Sequence, residues 1–244
     1  MPCATPPPAV YSTPSPGPIA ARTSIDASVR YESNFGDVIV DVNARYDLAS
    51  RGAVLPYANL IVGYDTRSGV PGIGQIFNED ALIPAAGVRA PLDKEEYAEL
   101  FVQGGFSFGL HGQPSFPETR WGFDYSRDYG SSFLSPYPHA NVNGVLIDYS
   151  RFAGNVIGSV DGFYDTRVTT SLRALVGAVV SFDDHRDYGN NYAEAYAGFM
   201  VPFSRELDLR VAGVEGSYLS RGIGVPRPAS YSALRVTISH TSPP

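Results

Sequence analysis

The stretch DVIVDVNARYDL, residues 37–48, alternates apolar and other side chains along its whole length. Every second residue is apolar: Val38, Val40, Val42, Ala44, Tyr46 and Leu48. The residues between them are mostly polar or charged: Asp37, Asp41, Asn43, Arg45 and Asp47. Successive side chains of a β-strand point to opposite faces, so this segment has one face in an apolar medium and one in a polar medium. The same period of two recurs from Ser24 to His240.

The alternating segments predict a chain made almost wholly of β-strands. We place twelve strands at residues 24–34, 37–49, 53–67, 80–92, 96–110, 118–131, 138–153, 155–168, 169–186, 191–203, 207–220 and 230–240. Most are longer than the roughly five or six residues of a common soluble strand, and they reach the 9–11 or so that a tilted strand needs to cross a bilayer. The predicted fold class is all-β, an antiparallel transmembrane β-barrel of about 12 strands. The range is about 10–14, and even numbers are expected because single-chain bacterial barrels have them.

The connections between segments differ in length. Those at 34–37 and 153–155 are tight, whereas those at 68–79, 112–119 and 221–229 are long. Outer-membrane barrels have short turns on one side of the membrane and longer loops on the other. We therefore expect the tight and the long connections to separate in this way.

The two faces of each strand are expected to meet different surroundings. Lipid-facing candidates are Val38, Val40, Val42, Leu100, Val102, Val176, Val180, Leu209 and Val211. Lumen-facing candidates are Asp41, Arg45, Glu99, Asp148, Asp161, Arg173 and Arg210. Membrane-interface candidates are Trp121, Tyr46, Tyr64, Tyr164 and Phe182, because aromatic rings favour the lipid–water boundary. A β-sandwich has the same alternation with its charged face in bulk solvent, so a soluble domain stays open as an alternative.

Composition narrows the class of protein further. The mean hydropathy is −0.10 and no apolar run approaches the length of a membrane helix, but a barrel has the same averages because its polar inward faces offset its apolar outward faces. The net charge of −7 argues against binding nucleic acid.

Residues 1–22 are rich in proline and predict a disordered leader, followed by the barrel at 23–244. Cys3 is the only cysteine, so no internal disulfide is expected, and neither a metal site nor a cofactor is predicted.

Two internal similarities suggest repetition. Gly87, Pro91 and Gly105 align with Gly198, Pro202 and Gly216 at one constant offset. Separately, the tetrapeptide Tyr-Asp-Thr-Arg occurs at 64–67 and at 164–167. Duplication of a hairpin would produce such a pattern, and so would convergence of hairpins under one constraint.

Catalytic patterns are sparse. The four histidines, His111, His139, His185 and His240, lie near predicted strand ends, and no spacing joins them to a serine and an acid in the arrangement of a hydrolase. We therefore predict no catalytic residues and no enzyme activity. The acidic run at 183–187 has the residue types to hold a hard cation, but we interpret it as a solvated loop.

The run YGNNYAEAYAGFMVPF, followed by LDLRVAGVEGSYL, resembles the C-terminal barrels of large bacterial outer-membrane proteins. LPYANLIVGYDTRSG and VLIDYSRFAGNVIGSVDGFYDTR extend this resemblance over roughly residues 53–240. It is similar in particular to the barrel region of the phage adsorption protein A family, without the helical repeats of that family. The resemblance implies a bacterial outer-membrane location and a role in export, which in some relatives is exopolysaccharide export.

Three functions are consistent with these observations. The first is an outer-membrane barrel acting as a pore, an export conduit or a surface receptor, with outer-membrane lipids, the barrel-assembly machinery, periplasmic export components or phage as partners. The second is a soluble β-sandwich or carbohydrate-binding module. The third is an outer-membrane hydrolase that modifies lipids.

Overall fold

The computed structural model describes residues 20–34, 36–66, 80–93, 97–130, 138–150, 155–184, 191–204, 206–219 and 230–241. Within these ranges the chain forms β-strands and turns. The strands are β1 (Arg22–Glu32), β2 (Asp37–Asp47), β3 (Leu55–Asp65), β4 (Ala81–Pro91), β5 (Ala98–Gly109), β6 (Phe116–Gly130), β7 (His139–Ser150), β8 (Asn155–Arg167), β9 (Arg173–Asp183), β10 (Tyr192–Pro202), β11 (Leu207–Tyr218) and β12 (Ser230–Thr241). No helix in the described part of the chain is long and apolar enough to cross a membrane.

The twelve strands form one closed antiparallel barrel. Each strand pairs with its neighbours in sequence, and β1 pairs with β12 over a register that runs from Asp26↔Thr241 to Glu32↔Arg235. Closure leaves no strand edge with unpaired backbone groups, which is the condition for a sheet to cross lipid. The predicted all-β barrel of about 12 strands is confirmed.

Strand boundaries differ from the predicted ones by a few residues. The largest difference is at β9, which begins at Arg173 instead of 169. The backbone N–H groups of Val168 and Thr169 both donate to the carbonyl oxygen of Leu172, at 2.9 and 3.0 Å, and this closes a turn where the alternation had suggested strand. At the start of the barrel, Arg22 already belongs to β1. Residues 1–19 of the predicted leader lie outside the described residues.

The two rims of the barrel carry different sets of connections. The rim where β1 begins and β12 ends, here called the terminal rim, carries the connections at 48–54, 92–97, 131–138, 168–172 and 203–206. The opposite rim, here called the loop rim, carries those at 33–36, 66–80, 110–115, 151–154, 184–191 and 219–229.

The expected separation of these turns and loops was wrong. The tight turns and the long loops that the sequence suggested all follow odd-numbered strands, so they share the loop rim. The longest connections, 66–80 and 219–229, do lie at that rim, and the connections of the terminal rim run from four residues, at 203–206, to eight, at 131–138.

One of the two internal similarities corresponds to equivalent positions in the barrel. Gly87 and Gly198 lie on β4 and β10, while Pro91 and Pro202 are the last residues of those strands. The two hairpins β4–β5 and β10–β11 are six strands apart in a ring of twelve, and therefore face each other across the barrel. The repeated Tyr-Asp-Thr-Arg is different, because Asp65 ends β3 at the loop rim whereas Asp165 lies near the terminal rim on β8.

Apolar side chains cover the outside of the barrel. The outward residues of β9 include Val176, Val180 and Phe182, which are about half exposed. A large exposed apolar surface is costly in water, and here it encircles the barrel as a band. Outward aromatic residues lie toward both rims: Tyr31, Phe106, Phe108 and Phe182 near the loop rim, and Tyr46, Tyr129, Tyr164, Phe199 and Phe203 near the terminal rim.

Candidate functional site: the barrel lumen

The inward faces of the strands carry most of the charged side chains. Among the sequence candidates, Asp41, Arg45, Glu99, Asp161, Arg173 and Arg210 lie on inward faces. Asp148 pairs through its backbone with Gly122 and Ile157, but its side chain lies outside the described part of the structure. Whether any of these residues contacts a passing solute stays a prediction.

Arg89 on β4 is the centre of one ion-pair network, although only 1% of its surface is exposed. Its guanidinium forks onto Asp47, with Nε–Oδ1 and Nη2–Oδ2 distances of 3.0 Å each. Its third nitrogen, Nη1, donates to Oε2 of Glu99 at 2.6 Å. Arg45 donates to the other oxygen of Glu99 at 2.7 Å. Four side chains from β2, β4 and β5 thus fill part of the lumen with charge-assisted hydrogen bonds.

A neutral cluster lies beside this network. The hydroxyl of Tyr57 on β3 donates to Oε1 of Gln103 on β5 at 3.1 Å, and the amide of Asn59 donates to the same oxygen at 3.2 Å. These side chains cross over Gly87 of β4, which pairs with both Tyr57 and Gln103. A Cβ at Gly87 would lie 2.8 Å from the Cβ of Gln103, so a side chain here would overlap with the residue that accepts both hydrogen bonds.

A second ion-pair network joins the last strands to the first. Arg235 on β12 bonds to Glu32 on β1, and through Nη2 to Glu194 on β10 at 2.8 Å. The hydroxyl of Tyr231 on β12 donates to the other oxygen of Glu194. Glu32 and Glu194 are both buried. The network therefore ties the seam at β1 and β12 to the neighbouring wall from inside the barrel.

Further charged contacts line the wall between β8 and β11. Tyr196 donates to Oδ1 of Asp161 at 3.0 Å. Arg210 donates to Asp208 at 2.8 and 3.0 Å, and its guanidinium lies 4.7 Å from the ring centre of Phe163. Nearer the terminal rim, Arg173 bonds to Asp165 on the adjacent strand. Both arginines have a carboxylate partner, which the buried Arg173 requires in order to remain charged.

Two tyrosines reach their carboxylates by lying flat across a glycine. A Cβ on Gly177 would be 2.2 Å from Cζ of Tyr196, and a Cβ on Gly216 would be 2.3 Å from Cζ of Tyr231. Each ring starts on one strand, passes over the glycine of the next and reaches a carboxylate on the strand beyond. Tyr57 likewise reaches from β3 to β5, but its hydroxyl meets the amide oxygen of Gln103 and not a carboxylate.

Part of the lumen wall remains open to water. Asp26 on β1 and Asp41 and Asn43 on β2 point inward, and all three are exposed. Arg89, Glu99 and Gln103 also point inward but are buried. The interior is therefore filled along β2–β5 toward the terminal rim, and reaches solvent along the middle of β1 and β2.

Sequence reasoning missed several residues of these networks. Asp47, Arg89, Glu194, Arg235 and Tyr231 were not among the lumen candidates, although each has the inward position of its strand. Arg89 had a usable signal, because it is a charged residue in the apolar β4 segment ALIPAAGVRAP. The partners could not be identified, because they lie on strands whose relative register the sequence does not specify.

The membrane-interface candidates all point outward. Tyr46, Tyr164 and Phe182 are exposed near strand ends. Tyr64 points outward near the loop rim, where its ring lies 5.0 Å from that of His111. Trp121 is outward and 44% exposed, and it lies within β6, which begins at Phe116. Their role as interface anchors stays a prediction.

A closed antiparallel barrel of twelve strands, apolar outside and charged inside, has the architecture of bacterial outer-membrane β-barrel proteins. The apolar band would be exposed to water in a soluble protein. Among the described residues, buried polar and charged side chains outnumber buried apolar ones, whereas the core of a soluble protein is mostly apolar. The chain is thus an outer-membrane β-barrel, located in the bacterial outer membrane. The soluble sandwich is excluded, because the sheet closes on itself.

No protein-family model matches the chain, and comparison with curated proteins finds no match. Solved structures similar to it include the NanC porin, at 9% identity over 88% of this chain and 98% of the porin, with a TM-score of 0.39. An outer membrane channel from Pseudomonas putida F1 is 10% identical over 98% and 100%, with a TM-score of 0.42. The beta domain of the Bordetella autotransporter BrkA is 11% identical over 91% and 99%, with a TM-score of 0.31.

At these sequence identities and TM-scores, the similarities carry no information on ligand or activity. The assignment to the outer-membrane β-barrels rests on the geometry of the barrel itself. The resemblance to the phage adsorption protein A family stays a prediction.

Proposed function

We propose that this protein is a narrow channel that passes small polar solutes across the outer membrane. The observation that carries the proposal is the exposure of three inward polar residues, Asp26, Asp41 and Asn43, midway along β1 and β2. If side chains filled the whole lumen, these three residues would be buried. The Arg89 and Arg235 networks narrow the passage, which favours small solutes over folded proteins or wide polymers.

Conductance across a planar bilayer tests this proposal. The purified barrel is expected to produce discrete conductance steps. Asn43→Trp places a large ring in the open part of the lumen and should lower the single-channel conductance. Ala44→Trp is the matched control, because the neighbouring residue of β2 points outward and a tryptophan there meets lipid. A folded barrel without conductance steps, or an equal effect of both variants, would contradict the channel.

The Arg89 network supports a second candidate, a closed barrel that acts as a surface receptor through its loop-rim connections. If Arg89, Asp47, Glu99 and Arg45 seal the lumen, the folded protein is silent in planar bilayers. Removing the Arg89 guanidinium with Arg89→Ser should then open a conductance that the parent chain lacks. Polysaccharide export and phage binding are further possibilities that the resemblance implies, and they require transport and adsorption assays of their own.

We also propose that the protein is not an enzyme. His111 Nδ1 lies 2.9 Å from Oδ2 of the buried Asp80, an orientation that hydrolases use. Within the described residues, however, no serine hydroxyl hydrogen-bonds to this imidazole. Incubation of the folded barrel with ester and phospholipid substrates is expected to release no product above the level of His111→Ala.

A further inference from the structure

The outer surface of β10–β12 differs from the rest of the apolar band. Glu215 on β11 points outward and is exposed, and its Oε2 accepts a hydrogen bond from the hydroxyl of Ser232 at 2.8 Å. Of the strand residues whose side chains are described, the only other outward Asp, Glu, Lys or Arg is Arg127 of β6. A carboxylate facing the bilayer is costly unless a cationic or hydrogen-bonding group meets it.

The residues around Glu215 are small, so the surface is recessed. A shallow groove of about 430 Å³ is lined by Ala197, Gly213, Glu215, Ser232, Leu234 and Ser33, among others. Ala197, Gly213 and Leu234 are directly paired across β10, β11 and β12, and they form the apolar floor. Glu215 and Ser232 are paired with each other two residues nearer the loop rim, and they form the polar end of the groove. Aromatic residues occupy the loop-rim end of several other strands, but β11 and β12 have none on their outward faces.

The position of the groove determines what can fill it. It opens outward on the membrane-spanning wall, so its neighbours in the membrane are lipid molecules. Its volume lies within the roughly 300–1,000 Å³ typical of small-molecule sites. An acyl chain matches the floor, and the carboxylate at the loop-rim end favours a primary ammonium over a headgroup that carries only negative charge.

We propose that this groove is a binding site for a phospholipid with an ammonium headgroup, in which Glu215 and Ser232 contact the ammonium and Ala197, Gly213 and Leu234 contact an acyl chain. The site is distinct from the lumen and does not depend on the channel function. It goes beyond the general expectation that lipids surround the barrel, because it names one position and one headgroup.

The test measures lipid retained by the whole folded protein in detergent. Protein stripped of lipid is mixed with phosphatidylethanolamine or phosphatidylglycerol of the same acyl chains, and the bound lipid is counted by native mass spectrometry. One charge contact at a membrane surface corresponds to roughly a fivefold preference. We expect a preference of that order for phosphatidylethanolamine, and we expect Glu215→Gln to abolish it.

A matched pair of variants locates the site. Gly213→Leu fills the groove, and the backbone leaves space for it, because a Cβ there would have only the carbonyl oxygen of Ala197 within 4 Å, at 4.0 Å. Gly104→Leu adds the same side chain on the outward face of β5, where a Cβ would have no neighbour within 4 Å. Gly213→Leu should lose the bound lipid, and Gly104→Leu should retain it.

Three results would overturn the proposal: equal retention of the two lipids, a preference unchanged in Glu215→Gln, or the same retention in Gly213→Leu and Gly104→Leu. Heat-modifiable gel mobility establishes that each variant is folded. If Gly213→Leu does not fold, the headgroup preference and its response to Glu215→Gln decide the question.

Discussion

At the scale of single residues, the lumen is organised by carboxylates that each meet more than one guanidinium group. Arg89 is buried with Asp47 and Glu99, and its removal leaves these carboxylates with only the more exposed Arg22 and Arg45 as partners. We expect Arg89→Met to lower the free energy of unfolding, but by less than the roughly 3–5 kcal/mol that breaking a buried ion pair from one side usually costs, because these two arginines still compensate the carboxylates. The fluorescence of Trp121, the only tryptophan, reports unfolding in urea.

The same network provides its own control. Arg89→Met combined with Asp47→Asn removes one charge of each sign and leaves Glu99 paired with Arg45. Arg22, the other partner of Asp47, is about one third exposed and can be solvated by water. This double variant should recover part of the lost stability. If it is no more stable than Arg89→Met alone, the loss comes from packing and the ion pairs contribute little.

The tyrosines that cross glycines give a second prediction at this scale. Gly177→Ala would place a methyl group inside the ring of Tyr196 and should destabilise the barrel by about 1–3 kcal/mol, as overpacking does. Adding Tyr196→Ala removes the overlap, so the two changes should be strongly non-additive in a double-mutant cycle. Gly104→Ala, where the backbone is open, should have little effect. Additive changes at Gly177 and Tyr196 would argue against the observed crossing.

At the scale of strands, the alternation of side chains determines which face meets lipid. Val176 of β9 is outward and 52% exposed, so Val176→Arg places a charge in the apolar band. We expect a cost of about 2–4 kcal/mol if this residue lies near the midplane of the bilayer, measured by urea titration in vesicles. Val168, in the turn before β9, provides the comparison at the interface, where Val168→Arg should cost at most about 1 kcal/mol. Equal costs at the two positions would contradict the transmembrane orientation.

The strands were predictable from sequence because their alternation is a local property. The period of two gave all twelve strands and the face on which Asp41, Glu99 and Arg173 lie. It could not give the partner of a side chain in the lumen, because Arg89 and Asp47 are 42 residues apart and meet only through the register of three strands. It also misjudged the rims, since connections alternate between rims by strand parity and not by length.

At the scale of the whole molecule, closure of the barrel depends on the pairing of β1 with β12. Ala27 and His240 are directly opposite on the outward face of this seam. In a Cys3→Ser background, Ala27→Cys with His240→Cys should form a disulfide under mild oxidation, because opposite residues of antiparallel strands lie within disulfide reach. Ala27→Cys with Leu207→Cys is the control, since Leu207 is one strand further away.

A gel shift that appears only for the Ala27–His240 pair is the expected result. A second pair, Ala27→Cys with Val42→Cys, reports on β1 and β2 within one hairpin. If this hairpin pair oxidises while the seam pair does not, the sheet is open in the folded protein, and the assignment of a closed barrel is wrong.

The seam between β1 and β12 also has a consequence for how fast the protein folds. Ser33 and Leu234, which hydrogen-bond across it, are 201 residues apart in the chain, whereas every other strand pair joins neighbours in sequence. Hairpins of low contact order can form early, but the seam must overcome the loop-closure entropy of nearly the entire barrel. Closure should therefore be the last and slowest step. A truncated chain that lacks β12 could not close the barrel and would remain a curled sheet with two unpaired edges. Such edges can aggregate or be bound by chaperones.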